Sequence, residues 1–103
     1  MEIKYQLLSG VLYVYFNGEL DEYTAQKSKA VLDKIIDENM SVSKVIFNLS
    51  KLSFMDSTGI GLLIGRYKRL NGVGIKSYLE QPLPNVQKVI EISGLTGLMP
   101  EIC

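Results

Sequence analysis

The side chains best suited to chemistry are the carboxylate and hydroxyl groups of Asp56-Ser57-Thr58, which are followed at once by Gly59. The apolar run before them predicts a strand and the pattern after them predicts a helix, so they fall on a strand-to-helix turn. A helix start carries unpaired backbone N–H groups and the positive end of the helix dipole. A hydroxyl at this turn is therefore a candidate for two roles, helix capping and covalent modification, and Ser57 is the candidate phosphorylation site.

Catalytic and nucleotide-binding interpretations of this turn fail on the residues present. A nucleophile elbow requires glycine two positions before the serine, but residue 55 is Met55, and the chain contains no histidine to activate Ser57. The spacing Gly59-x-Gly61-x-x-x-Gly65 does not fit a dinucleotide-binding loop, and the Gly-Lys-Ser/Thr of a phosphate-binding loop is absent. We therefore predict that the protein is not an enzyme and has no metal site or cofactor.

Capping is the simpler explanation of the turn by residue type, since Asp56, Ser57 or Thr58 could each accept a bond from the first helical N–H groups. The glycines allow two further predictions. Gly61 and Gly65 are four residues apart, which would let one face of the helix approach the sheet closely. Gly59 lies at the turn itself, where the absence of a side chain would leave Ser57 accessible.

Composition indicates one globular domain spanning residues 1–103. Hydrophobic residues make up 47% of the chain, and eleven basic residues balance eleven acidic ones. Without a basic excess we expect no direct nucleic-acid or membrane-surface binding. The single cysteine, Cys103, cannot form an internal disulfide, and the sequence pattern predicts neither a leader nor a membrane-spanning run. A cytoplasmic location is the simplest expectation.

The elements that would position the turn follow from periodicity. Residues 3–7 and 11–16 predict a hairpin, with Asn17-Gly18 ending its second strand. Asp21 is a plausible N-cap for a helix over about residues 22–38. The inward face of that helix would comprise Ala25, Ser28, Val31, Leu32, Ile35 and Ile36.

The rest of the chain continues the alternation of strands and helices. Residues 45–49 predict a buried central strand, residues 58–70 a helix, and residues 75–79 another strand. A third helix would open at Leu83-Pro84 and end at Gly94, and residues 101–103 could form an edge strand. The order ββαβαβα(β) predicts an α/β domain with a mixed sheet of four to five strands.

Two motifs resemble those of the anti-sigma-factor antagonists, a family of small bacterial STAS-domain proteins. Phe54-Met55-Asp56-Ser57-Thr58-Gly59-Ile60-Gly61 is similar to the family's phosphorylation motif, and Gly18-Glu19-Leu20-Asp21 is similar to a second motif before the first helix. The extension Gly65-Arg66-Tyr67-Lys68 is most similar to the sporulation members. The element order agrees, so the resemblance covers nearly the whole chain.

The resemblance implies a regulatory cycle. The unphosphorylated protein would bind an anti-sigma factor that is also a serine kinase and so free a sigma factor. Phosphorylation at Ser57 would release the complex, and a serine phosphatase would restore binding. The partner-binding residues implied are Glu19, Asp21, Asp56, Ser57, Thr58, Gly59 and Ile60. Family members usually continue into a C-terminal helix, and we expect either a short protein or a truncated one.

Other roles remain open at this point. The same fold could serve as an unphosphorylated STAS interaction module in another signalling or transport assembly, and a small nucleotide-binding protein is a weaker alternative. Arg66, Lys68 and Arg69 form a basic cluster, for which a solvated helix face is favoured over a binding surface. Met55 is expected to seal the core beneath the turn.

Overall fold

A computed structural model of the chain describes residues 1–102, and Cys103, the last residue of the predicted edge strand, lies outside them. The described part has the predicted α/β order, with one short 3-10 helix at Leu95–Gly97. Its elements are β1 (Glu2–Leu8), β2 (Val11–Leu20), α1 (Ala25–Asp37), β3 (Lys44–Met55), α2 (Ser57–Asn71), β4 (Lys76–Glu80), α3 (Pro84–Ser93) and β5 (Glu101–Ile102).

The sheet is mixed and has the order β1-β2-β3-β4-β5. β1 pairs antiparallel with β2, while the pairs β2–β3, β3–β4 and β4–β5 are parallel. The β1–β2 connection is the two-residue turn Ser9-Gly10, in which both residues have positive φ, 51° and 77°. That backbone is typical of the tight hairpin turn that matches strand twist.

The core lies between one face of the sheet and the helices. Alternate residues of β2 are buried, and they join the apolar residues of all three α-helices in a single cluster. The inward side chains of α1 are Ser28, Leu32, Ile35 and Ile36, whereas Val31 is 42% exposed, contrary to the prediction. Met55 is 2% exposed and closes the core at the end of β3, as predicted.

The second strand is longer than its turn residues suggested. Asn17-Gly18 does not end β2, which continues to Leu20 through two register shifts against β3. Gly18 has a φ of 133°, which only glycine adopts without strain, and it lies between the two shifts, at each of which β3 contains one residue more than β2. The consequence is that β2 runs alongside β3 up to the start of α2.

Helix α1 begins at Ala25, three residues later than predicted, and Asp21 is not its N-cap. The Asp21 carboxylate instead accepts hydrogen bonds from the N–H groups of Tyr23 at 2.9 Å and Thr24 at 3.1 Å. These bonds stabilise a turn at residues 21–24, a conformation that competes with helix. Asp21 therefore shapes the connection between β2 and α1.

The basic cluster predicted on α2 is divided by ion pairs with α1. Arg66 is only 8% exposed, and its Nε lies 3.3 Å from Asp33 Oδ1. Arg69 pairs with Asp33 and with Asp37, which leaves Lys68 as the exposed member of the cluster. The prediction of a solvated face was wrong for Arg66, since interhelical pairing lets this charge lie buried.

Candidate functional site

The two motifs found in the sequence lie side by side at the ends of adjacent strands. In the β2–β3 register, Glu19 is paired with Phe54 and Leu20 with Met55. The backbone N–H of Asp56 also donates to the Leu20 carbonyl, at 3.4 Å. Asp21 and Asp56 therefore each follow directly on one of two paired residues, and both carboxylates belong to the same end of the sheet.

Asp56 is the N-cap of α2. Its Oδ1 accepts hydrogen bonds from the N–H groups of Thr58 at 2.9 Å and Gly59 at 3.2 Å. These are the donors that a helix start leaves without a partner. Of the three capping candidates, the structure therefore selects Asp56.

Ser57 is the first residue of α2 and is exposed. Within residues 1–102 its hydroxyl makes no hydrogen bond, in contrast with Thr24, Ser50 and Ser53 near the same end of the sheet. Capping by Asp56 therefore does not involve the Ser57 hydroxyl. The Ser57 hydroxyl is available to chemistry without any loss of a structural contact.

Gly59 has a packing role rather than the access role that we predicted. It is buried, and a Cβ at this position would lie 2.6 Å from Met55 Cγ and 2.9 Å from the Leu20 carbonyl oxygen. A Cβ at Gly61 or Gly65 would meet no packed neighbour within 4 Å among residues 1–102. The close approach of helix to sheet therefore occurs at Gly59, and the prediction for Gly61 and Gly65 was wrong.

The remaining residues of the implied binding set differ in exposure. Glu19 and Thr58 are exposed, Asp21 and Asp56 are half-buried, and Ile60 is 6% exposed. Gly59 and most of Ile60 consequently support the turn from beneath. The groups that a partner can touch directly belong mainly to the other five residues.

An apolar groove beside Ser57 was not predicted from the sequence. Ser57, Ile60, Val89, Ile92 and Ser93 line a shallow depression of about 340 Å³ between α2 and α3. Ile92 is 88% exposed, although it is a large aliphatic residue. The sequence offered a signal only for the exposure of Ile92, which lies off the face of α3 that buries Val86 and Ile90, and none for the groove itself.

Residues 1–102 contain no group of three or more His, Cys, Asp or Glu side chains arranged to hold a metal ion. In the same part of the chain, no helix has the length and apolar character needed to cross a bilayer.

Comparison with known proteins gives a consistent set of relatives. The model of the STAS domain family matches residues 2–102. A Paenibacillus polymyxa protein named anti-sigma F factor antagonist is 33% identical over 97% of this chain and 85% of its own length.

Two solved structures share the fold at a similar level of identity. The anti-sigma factor antagonist SpoIIAA in its unphosphorylated form has a TM-score of 0.80 and 31% identity, over 99% of this chain and 89% of that one. The Bacillus cell fate determinant SpoIIAA in its phosphorylated form has a TM-score of 0.71 and 30% identity, over 99% of this chain and 92% of that one.

Proposed function

The chain belongs to the STAS domain family, and from this premise we propose that it is an anti-sigma-factor antagonist switched off by phosphorylation of Ser57. In its unphosphorylated form it binds an anti-sigma factor and so frees a sigma factor for transcription. The anti-sigma factor is also the serine kinase that modifies Ser57, and a serine phosphatase reverses the modification. The role is one of binding rather than catalysis, and the cycle operates in the cytoplasm.

The observation that carries this proposal is the contrast between Asp56 and Ser57. Asp56 satisfies the N–H groups of Thr58 and Gly59, while the neighbouring Ser57 hydroxyl is exposed and makes no hydrogen bond within residues 1–102. A kinase can therefore modify Ser57 without dismantling the helix start. The domain should keep its fold in both states of the switch.

The electrostatic consequence of modification follows from the same contacts. A phosphoserine carries a charge of about −1.5 to −2 at neutral pH. At Ser57 this charge lies beside Asp56, whose carboxylate already accepts from two N–H groups of the helix start. Asp21 adds a further carboxylate at the end of the neighbouring strand. The local surface therefore changes from mildly to strongly acidic.

A partner bound over this surface would have to desolvate the phosphate. Like-charge juxtaposition and lost solvation in an interface can amount to several kcal/mol. Because each 1.4 kcal/mol is a factor of ten in affinity, a loss of about two to three orders of magnitude requires no change of fold. The apolar groove next to Ser57 supports this account, since a partner that packs into it must exclude water beside the phosphate.

The partner is first isolated by a pull-down from native cytoplasm on Ser57→Ala, with and without ATP. The affinity of the retained anti-sigma factor for the wild type, Ser57→Ala and Ser57→Asp is then measured by titration calorimetry. We expect Ser57→Ala to bind like the wild type and Ser57→Asp to bind at least tenfold more weakly. Ser41→Asp is the matched control, because it adds the same charge at an exposed position in the α1–β3 connection.

Equal affinities of Ser57→Ala and Ser57→Asp would reject the switch. The kinase step is tested separately by incubating the domain with the isolated partner and ATP. We expect a single phosphoryl group on the peptide that contains residue 57, and no phosphoryl group on Ser57→Ala. Fragment masses that place the group on Thr58 or Ser53 would reject the assignment of Ser57.

A further inference from the structure

Strand β1 forms an outer edge of the sheet, and its surface is unusually apolar for such a position. Within residues 1–102 it pairs with β2 alone, over its full length from Glu2 to Leu8. Tyr5, Leu7 and Leu8 are 48%, 51% and 50% exposed. A long edge strand with exposed apolar side chains is a template for pairing with a further strand.

The hairpin geometry determines which backbone groups face this open edge. The two-residue turn Ser9-Gly10 closes on the pair Leu8–Val11, and such a turn closes on a hydrogen-bonded pair. Hydrogen-bonded and non-bonded pairs then alternate along the hairpin. Ile3, Tyr5 and Leu7 consequently direct their N–H and C=O groups away from β2.

The side chains of these same three residues lie on the face of the sheet that carries the core. They are paired across the hairpin with three fully buried residues, Phe16, Val14 and Leu12 respectively. Ile3 is partly buried against the core cluster, but Tyr5 and Leu7 are not. The outermost row of the apolar face is therefore left uncovered.

Helix α1 extends this uncovered row. Val31 is 42% exposed, and it lines a groove of about 330 Å³ with Ile3, Tyr23 and Lys27. An added strand at the β1 edge would cover Tyr5 and Leu7 from the side while leaving the helices in place. The apolar face of the sheet is therefore exposed to solvent at the β1 edge.

We propose that β1 pairs antiparallel with β1 of a second copy of this chain, about a two-fold axis at Tyr5, to form a continuous sheet across a homodimer. In this register Tyr5 lies opposite its own counterpart, and Ile3 lies opposite Leu7 of the other copy. Ile3, Tyr5 and Leu7, whose backbone groups face the open edge, are then all in hydrogen-bonded pairs. Each such pair exchanges both N–H···O bonds. The apolar row of one copy continues into that of the other.

Charge selects this register over its neighbours. A two-fold axis at Lys4 would place two lysines directly opposite each other, which is destabilising. An axis at Gln6 would leave Ile3 beyond the paired region. With the axis at Tyr5, Lys4 lies opposite Gln6 of the other copy. Lysine commonly blocks pairing at a sheet edge, but here it faces a neutral side chain that can accept a hydrogen bond.

The oligomeric state is measured by sedimentation equilibrium on the full chain, from micromolar to millimolar protein. We expect a reversible monomer–dimer equilibrium. Gln6→Glu should tighten the dimer and Gln6→Lys should weaken it, each by about three- to tenfold in dissociation constant, because each change occurs twice opposite Lys4. A protein that is monomeric at every concentration, or one that responds identically to both variants, overturns the proposal.

Disulfide trapping tests the register independently of affinity. In a Cys103→Ser background, Tyr5→Cys places two thiols at paired positions about 5.5 Å apart between Cα atoms, which is within disulfide range. Leu8→Cys is the matched control, because it is equally exposed but lies about 20 Å from its counterpart in this register. We expect mild oxidation to cross-link Tyr5→Cys and not Leu8→Cys. Equal cross-linking of the two variants overturns the register.

Discussion

Gly59 on α2 lies directly over the backbone of Leu20 on β2, so close that a Cβ at position 59 would be 2.9 Å from the Leu20 carbonyl oxygen. The same carbonyl accepts the N–H of Asp56. Leu20 therefore holds the turn from two directions, through a backbone hydrogen bond and through close packing. This relationship positions the turn that carries Ser57.

Replacing Gly59 with alanine is predicted to destabilise the domain by about 1–3 kcal/mol, since the new methyl group must displace backbone as well as Met55. Gly61→Ala is the matched control, because the same change in the same helix meets open space and should stabilise by up to about 1 kcal/mol. Urea unfolding followed by circular dichroism gives both values. If both substitutions changed the free energy of unfolding in the same direction, the packing role of Gly59 would be rejected.

The N-cap assignment predicts different effects for two substitutions of Asp56. Asp56→Ala removes the acceptor of the Thr58 and Gly59 N–H groups and should lower the free energy of unfolding by about 0.5–2 kcal/mol. Asp56→Asn keeps a side-chain oxygen at the same place and should lower it by less than half as much. Thermal unfolding at neutral pH measures both variants. An equal loss for the two would attribute the effect to charge alone and contradict the capping bond.

The interhelical pair of Arg66 and Asp33 predicts an order of stabilities. Arg66 is buried, and among the described residues its Nε and Nη1 have no well-aligned hydrogen bond, although Asp33 lies 3.3 Å away. Asp33→Ala therefore leaves a buried charge without its counter-ion and should cost about 1–3 kcal/mol. Arg66→Met keeps the apolar stem without the charge and should cost less. Chemical denaturation of the two variants tests this order, and the reverse order would contradict it.

The sequence predicted the fold where local pattern and tertiary environment agree. The apolar run at residues 45–49, the helix over residues 58–70 and the proline start of α3 all correspond to observed elements. Predictions were wrong where a distant residue decides the outcome. Gly18 continues a strand because β3 supplies its partner, and Arg66 is buried because α1 supplies Asp33.

The site shows the same division between local and tertiary information. Residue types placed three capping candidates at the turn, but only the folded backbone determines which carboxylate or hydroxyl reaches the N–H groups of Thr58 and Gly59. The groove beside Ser57 depends on α2 and α3 meeting, and these helices are separated in the chain by β4. No local pattern could have joined Ile60 with Ile92.

Ile92 is predicted to contribute to partner binding, because it is 88% exposed on the groove that begins at Ser57. An aliphatic side chain that is buried on binding contributes about 1.5–3 kcal/mol. Ile92→Ser should therefore weaken binding of the anti-sigma factor by about ten- to a hundredfold and leave the unfolding midpoint nearly unchanged. Val73→Ser is the matched control, since Val73 is also an exposed aliphatic residue, at 57%, but lies after the C-terminal end of α2. Titration calorimetry with the isolated partner compares the two variants. If Val73→Ser weakened binding as much as Ile92→Ser, the partner surface would not be centred on the groove, and a role for Ser57 at its rim would lose its structural support.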